Sequence, residues 1–349
     1  MPIEMLPYVS LFFLLALVGL LDEHGRARPL LVPIGIVLLW FMGLREYVGC
    51  DFVSYLLRYD AERFLGSGPS FGSNEWGFEF LTYLFAQAGV SYYAFQAFIT
   101  AIIVFCYLRF ASRQVYPVMV LAIIYPVLVV QLGMSGLRQA VAVGLIMMAF
   151  EAFVAKNRLS TGGWIIAAFL FHSSAIVLLP MAFIAGRQIS LPRLIAAFVL
   201  LMPVAAFLLG DRVDVYSNRY IDQVYGEQQA DGAWIRYVLS IVPTLFFLRY
   251  RLQIKKAFPQ QYQLLLIGAL FVCSLLLAGA ISSVALHRFN FYALPLAALM
   301  VVYGTKAVAR RPVIMRLAWL GMFGGYQVAW FTFSSNARSC LMPYDNIVF

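Results

Sequence analysis

The chain reads as a succession of continuous apolar runs separated by polar breaks. Each run is about 17 to 25 residues long, enough for a helix to cross roughly 30 Å of hydrocarbon. The runs are Met5 to Leu21, Pro29 to Leu44, Tyr92 to Phe110, Tyr116 to Met134, Leu137 to Ala155, Trp164 to Ala185, Leu191 to Gly210, Trp234 to Tyr250, Gln263 to Val284, Phe289 to Thr305 and Val313 to Phe333. A weaker segment, Gly77 to Val90, has 14 residues and is expected to lie in the interface or to re-enter. Strands are disfavoured because the apolar positions do not alternate, and a barrel needs polar residues facing its lumen. The pattern predicts an all-α fold: a polytopic transmembrane bundle of about 10 to 12 helices with short re-entrant or interfacial helices. The whole of 1–349 is read as one integral membrane domain.

Composition agrees. Hydrophobic residues make up 63% of the 349 and charged residues 12%, with a mean hydropathy of +0.84, whereas a soluble domain carries about a quarter charged residues. The first run lacks a basic leader and is followed at once by a second, so it is expected to stay as an anchor. The net charge of +9 is no nucleic-acid signal, because its basic residues fall in short loops between spans.

Those loops set the expected topology. The clusters Arg26/Arg28, Arg109/Arg113, Lys156/Arg158, Arg249/Arg251/Lys255/Lys256 and Lys306/Arg310/Arg311/Arg316 belong in the cytoplasm by the positive-inside rule. All five agree only if one element within 77–110 and one within 164–210 fail to cross. The segment 164–185, interrupted at His172-Ser173-Ser174 and holding Pro180, is the second of these, which puts Arg187 and Arg193 inside as well. Both termini then lie outside. So do the two long polar segments, about 45–76 and 211–233, the turn at 135–139, the start at 287–290 and the tail from Ser334.

Charged and amide groups beside an apolar background need partners. Arg45 closes the second run and is followed by Asp51, with Phe52, Tyr55 and Tyr59 at helical spacing. An arginine at a helix end ordinarily reaches for headgroups, but this one has an acid and an aromatic face for company. Arg138 sits between two apolar runs, where an unpaired charge costs several kcal/mol and demands an acid, a phosphate or water. Arg288, between His287 and Asn290, repeats the situation. Three arginines at one face suit a polyanionic ligand such as a diphosphate, because the guanidinium fork binds phosphate oxygens in pairs and stays charged. His172 lies within an apolar segment. It is either a neutral histidine bonded to a neighbouring helix or a general base for a hydroxyl proton. Asp51 and Glu75 are the competing carboxylates, though each reads first as a solvated loop charge, and Asp211, Asp214, Asp222, Glu227 and Asp231 read as a solvated loop. No His pair at ligand spacing, Asp-x-Asp or Cys-x-x-Cys marks a metal site. Cys106 and Cys273 fall within spans. Cys50 and Cys340 both fall outside, where a disulfide forms if they are near in space.

Five stretches carry a resemblance. They are Gly43-Leu44-Arg45 with Val48-Gly49-Cys50-Asp51 and Tyr55, then Glu75-Trp76-Gly77-Phe78, then Gly136-Leu137-Arg138-Gln139-Ala140, then Phe171-His172-Ser173-Ser174-Ala175, and finally Arg288 with Tyr292. In this order the chain resembles the EpsG family of bacterial membrane proteins, which groups with the Wzy-type polymerases of O-antigen and exopolysaccharide. The resemblance implies a GT-C-type glycosyltransferase in the inner membrane. Such an enzyme takes a glycan from one undecaprenyl diphosphate and joins it to a second lipid-linked repeat unit at the periplasmic face. It uses no nucleotide sugar, metal or other cofactor, and a chain-length regulator is a further partner. Its roles carried onto this chain give Arg45, Arg138 and Arg288 to the diphosphates, His172 or failing it Asp51 or Glu75 to the acceptor hydroxyl, and Tyr55, Tyr59, Gln139, Asn290 and Tyr292 to sugars. Cys50 takes no role.

Three other functions compete. An O-antigen ligase shares the lipid-diphosphate donor but usually carries one large periplasmic loop, and neither loop here is large. A lipid-linked oligosaccharide flippase would set polar residues along a path at mid-membrane, whereas here they gather at one face. An assembly subunit would tolerate loss of single arginines.

Overall fold

In the computed structural model, residues 3–22, 25–69, 75–187 and 232–348 are described. The expected span Leu191 to Gly210, Arg193, nearly all of the polar segment 211–233 and the acids within it lie outside them.

The described elements are helices, with a lone bridge pairing Arg45 and Asn346. In chain order they are α1 (Leu6–Leu21), α2 (Leu31–Gly43), α3 (Phe52–Leu65), α4 (Trp76–Gln87), α5 (Tyr92–Ser112), α6 (Pro117–Ile124, prolonged through Ser135), α7 (Leu137–Val154), α8 (Arg158–Phe171), a 3-10 turn at Ser173–Leu178, α9 (Pro180–Ile184), α10 (Ala233–Ala257), α11 (Pro259–Ile281), α12 (Ser283–Val308), α13 (Pro312–Phe333) and α14 (Ser335–Leu341). Among the described residues six helices are long and apolar enough to cross a membrane: Ile3–Leu21, Tyr92–Ser112, Pro117–Ser135, Leu137–Val154, Pro259–Ala280 and Ser283–Val308. Shorter apolar helices cover Arg28–Gly43, Arg158–Phe171 and Ser173–Ile184. The protein is thus a polytopic helical membrane protein.

One segment differs from its sequence reading, and two show the short or broken helices it expected. The polar stretch 45–76 is not all loop, because α3 occupies its middle and buries Phe52, Tyr55 and Tyr59 on one face. The three- and four-residue spacing of those rings had the right period, but the charges between them hid the helix. The stretch 77–90 becomes α4, whose 12 residues rise only about 18 Å. The run 164–185 is broken at His172, where His172, Ser173 and Ser174 and then Pro180 interrupt the helical ladder.

The chain packs as two compact units, one of 1–145, 167–173 and 310–349, the other of 146–166 and 174–309. In the first unit α2 packs on α5, and α1 on α6 and α13. Pro126 lies in the widened stretch Tyr125–Leu132 of α6. Its ring and missing N–H favour such a local π distortion. Gln131 on this stretch donates to the Tyr326 hydroxyl at 2.8 Å.

One end of this unit collects basic residues: α1 runs toward Arg26, α2 starts beside Arg28, and α5 ends at Arg109 and Arg113. Arg316 belongs there too, but not as the loop charge expected. It is fully buried, donates to Asp22 O at 2.7 Å and lies over the Tyr116 ring. The opposite end holds the turns after α2 and α6. In the second unit α10, α11 and α12 form a three-helix cluster around Tyr237, Val272, Leu275 and Ala293.

Candidate functional site

At the end of the first unit remote from the basic cluster, four side chains from distant parts of the sequence meet. Glu75 stands just before α4, Arg138 in the first turn of α7, His172 follows α8, and Tyr55 projects from α3. Glu75 pairs with Arg138 through Oε2 and with His172 Nδ1 through Oε1, the latter at 2.6 Å. Arg138 Nε donates to the Tyr55 hydroxyl at 3.4 Å, and its guanidinium lies 5.7 Å from that ring's centre.

Local sequence explains the meeting. The prolonged α6 ends at Ser135, Gly136 breaks the ladder and α7 starts at Leu137, so Arg138 lies where the helix dipole disfavours a cation. A carboxylate beside it offsets both the dipole and the partial burial. Gly77 lets the first turn of α4 press on α8. A Cβ there would stand 3.1 Å from Leu170, two residues before His172.

Electrostatics separates the roles of the carboxylate and the imidazole. Burial pushes the Glu75 carboxyl up, but the hydrogen bond from His172 and the Arg138 charge outweigh it and hold the group below the usual carboxylate range. An ionised carboxylate 2.6 Å from Nδ1 favours the tautomer with its proton on Nδ1, which puts the basic lone pair on Nε2. Glu75 is therefore held ionised between the guanidinium and the imidazole. The Arg138 side chain is 31% exposed, against 16% for Glu75 and 12% for His172, so it is the most open of the three. Burial keeps the Tyr55 phenol above its ordinary value although Arg138 opposes this.

The other residues singled out by sequence fall elsewhere. Asp51 is exposed at the start of α3. Tyr59 is buried and donates to Val90 O at 2.9 Å, and Gln139 is buried beside Arg138 in the chain. Arg45, expected at a diphosphate, is fully enclosed. Its Nε donates to Val48 O at 2.9 Å and Met134 O at 3.2 Å, Nη1 donates to Met42 O, and Nη2 has no hydrogen-bond partner. In the second unit Arg288 is half-buried on α12. On the same helix Asn290 accepts from Ser240 Oγ at 2.7 Å, and the Tyr292 hydroxyl pairs with Ser174 Oγ at 2.9 Å.

Sequence reasoning missed several polar residues. Gln96 donates to Gly43 O and Arg45 O, both at 3.0 Å. The Ser135 hydroxyl accepts from Cys50 N at 3.2 Å, and Arg236 on α10 is buried. A lone amide or guanidinium inside an apolar run was the available signal for Gln96 and Arg236. Cys50 and Cys340 form a disulfide. Around it Gly49 N bonds Cys340 O at 2.6 Å, Glu46 N bonds Asp345 O at 3.1 Å, and Ile347 N bonds Leu44 O at 3.0 Å. Among the described residues no three His, Cys, Asp or Glu side chains gather as a metal ion requires.

The sequence model of the EpsG family matches residues 30–346. No curated protein and no solved structure matches the chain.

Proposed function

The chain belongs to the EpsG family, and from that premise we propose that it is a GT-C-type polysaccharide polymerase of the bacterial inner membrane. Its substrates would be two oligosaccharide repeat units, each carried on undecaprenyl diphosphate. The acceptor hydroxyl oxygen bonds to the anomeric carbon of the donor glycan. The bond from that carbon to the diphosphate oxygen breaks, its electron pair leaves with undecaprenyl diphosphate, and the hydroxyl proton passes to His172 Nε2. Glu75 holds the imidazole in the required tautomer. Arg138 turns its guanidinium to the diphosphate whose negative charge grows as the bond breaks. Arg288 serves the second lipid's diphosphate, and Tyr55, Gln139, Asn290 and Tyr292 are assigned to sugars. With arginines neutralising the leaving group, the proposed reaction proceeds without a metal or other cofactor.

The single observation that supports this reading best is the Glu75 carboxylate shared by Arg138 and His172, which sets a base and an anion-binding fork side by side. The disulfide supports a periplasmic site, because such bonds persist on the oxidising side of a membrane. The basic residues gather at the other end of the same unit, as cytoplasmic ends do.

The deciding experiment incubates the purified protein with a synthetic undecaprenyl-diphosphate-linked repeat unit, with and without chelator. Ladder formation that survives chelation and is lost in H172A supports the proposal, and single units left unjoined by the wild type refute it. Deleting the gene distinguishes the alternatives. The polymerase reading expects lipid A bearing one repeat, a ligase would leave none attached, and a flippase would leave units in the inner leaflet.

A further inference from the structure

We propose that Arg45 is a positioning residue, which fixes through backbone carbonyls the turn at 134–136 that presents Arg138. The role rests on the reading that Arg138 acts on the diphosphate.

A guanidinium taken wholly out of water must have its donors met from within. For Nε and Nη1 the partners come from two places far apart in the chain, while Nη2 has no hydrogen-bond partner. Met42 O belongs to the last turn of α2 and Val48 O to the turn after it, whereas Met134 O belongs to the end of α6, 89 residues away. The Nε–H is shared between Val48 O and Met134 O, so one planar group locks two turns together. Met134 lies four residues before Arg138, with the single break at Gly136 between their helices.

Other contacts hold the same junction. Gly49 sits at φ +116, and a Cβ there would collide with the Met134 carbonyl oxygen, so a glycine alone allows the two turns this close. Cys50 N–H bonds the Ser135 hydroxyl at 3.2 Å. Gln96 ties Gly43 O and Arg45 O to α5, and Cys50 is anchored in turn to Cys340. Arg45 thus reaches Arg138 through the backbone and touches no substrate. A lysine has one ammonium on a flexible stem and cannot reproduce a fork that serves three carbonyls.

The test uses the full chain in lipid nanodiscs and reads two quantities, amide hydrogen exchange and polymerisation kinetics with the undecaprenyl-diphosphate-linked repeat unit. R45K is expected to speed exchange about tenfold in peptides covering 42–50 and 133–138 while leaving 141–150 unchanged. It is also expected to lower kcat about tenfold with the donor KM held within about twofold. Unchanged exchange at 133–138 overturns the proposal, as does a raised KM at constant kcat, which would mark Arg45 as a direct diphosphate contact. If R45K fails to accumulate, S135A reads the same junction from its other side. Faster exchange at 42–50 in S135A then supports the tie, and unchanged exchange there overturns it. A wild type inactive on this substrate would sink the polymerase reading, while the exchange data still decide whether Arg45 secures the turn.

Discussion

Glu75 Oε1 stands 2.6 Å from His172 Nδ1, although 97 residues separate them in sequence. A pair built this way acts as a unit. Removing either member should cost nearly as much as removing both, so E75Q, H172A and the double variant are each expected to lose on the order of 100-fold or more in polymerisation rate. Losses that multiply in the double variant would show that the two side chains act separately.

Acid should reveal the same carboxylate. Its folded-state pKa lies below the ordinary 4.5, so the stability it contributes is present above that value and is lost as pH falls through the lowered one. The melting temperature of the wild type minus that of E75Q should be constant from neutral pH to about 4.5 and shrink only below it. A difference already shrinking near pH 6 would contradict the depressed value.

Arg138 offers a fork where lysine offers a point. R138K is expected to accumulate normally and to lose about 100-fold in kcat, because one ammonium cannot serve Glu75 and a phosphate together. Polymer length on gels of membranes carrying the variant is the measurement. Full-length polymer at the normal rate would remove Arg138 from the reaction.

Gly49 is held at a positive φ against the Met134 carbonyl. G49A combines backbone strain with a steric collision and is expected to destabilise the protein by about 1–3 kcal/mol. Thermal unfolding in detergent measures it, and a neutral result would mean that the two turns can separate freely.

The disulfide gives a direct reading of sidedness. In intact spheroplasts treated with an impermeant reductant, an impermeant maleimide should label Cys50 and Cys340, while buried Cys106 stays unlabelled. Labelling of the pair only after lysis would place this end of the unit in the cytoplasm.

The helical membrane architecture was legible because backbone groups in hydrocarbon leave few alternatives. Glu75, Arg138, His172 and Tyr55 could be picked out because a polar side chain beside an apolar run needs a reason to be there. Their meeting could not be read, since no spacing in the chain encodes which turn faces which. Arg45 shows the limit most sharply. Its partners are carbonyl oxygens, which every residue possesses, so sequence could show that it needed partners but not that the backbone supplied them. Arg316 repeats the lesson at the other end, where a charge counted toward topology is spent on Asp22 O. Helix α3 was overlooked because Arg58, Asp60, Glu62 and Arg63 gave its exposed face the look of a loop.

The strap from Cys340 to Ile347 lies on residues 44–50, and the two cysteines are 290 residues apart. At 5–20 residues per second, a ribosome needs roughly 15 to 60 s to travel that distance. Through all of that interval the earlier turn waits in the membrane without the segment that will fasten it. Nascent copies therefore pass through a long immature stage, and any factor that shields half-built membrane proteins would find its opportunity there.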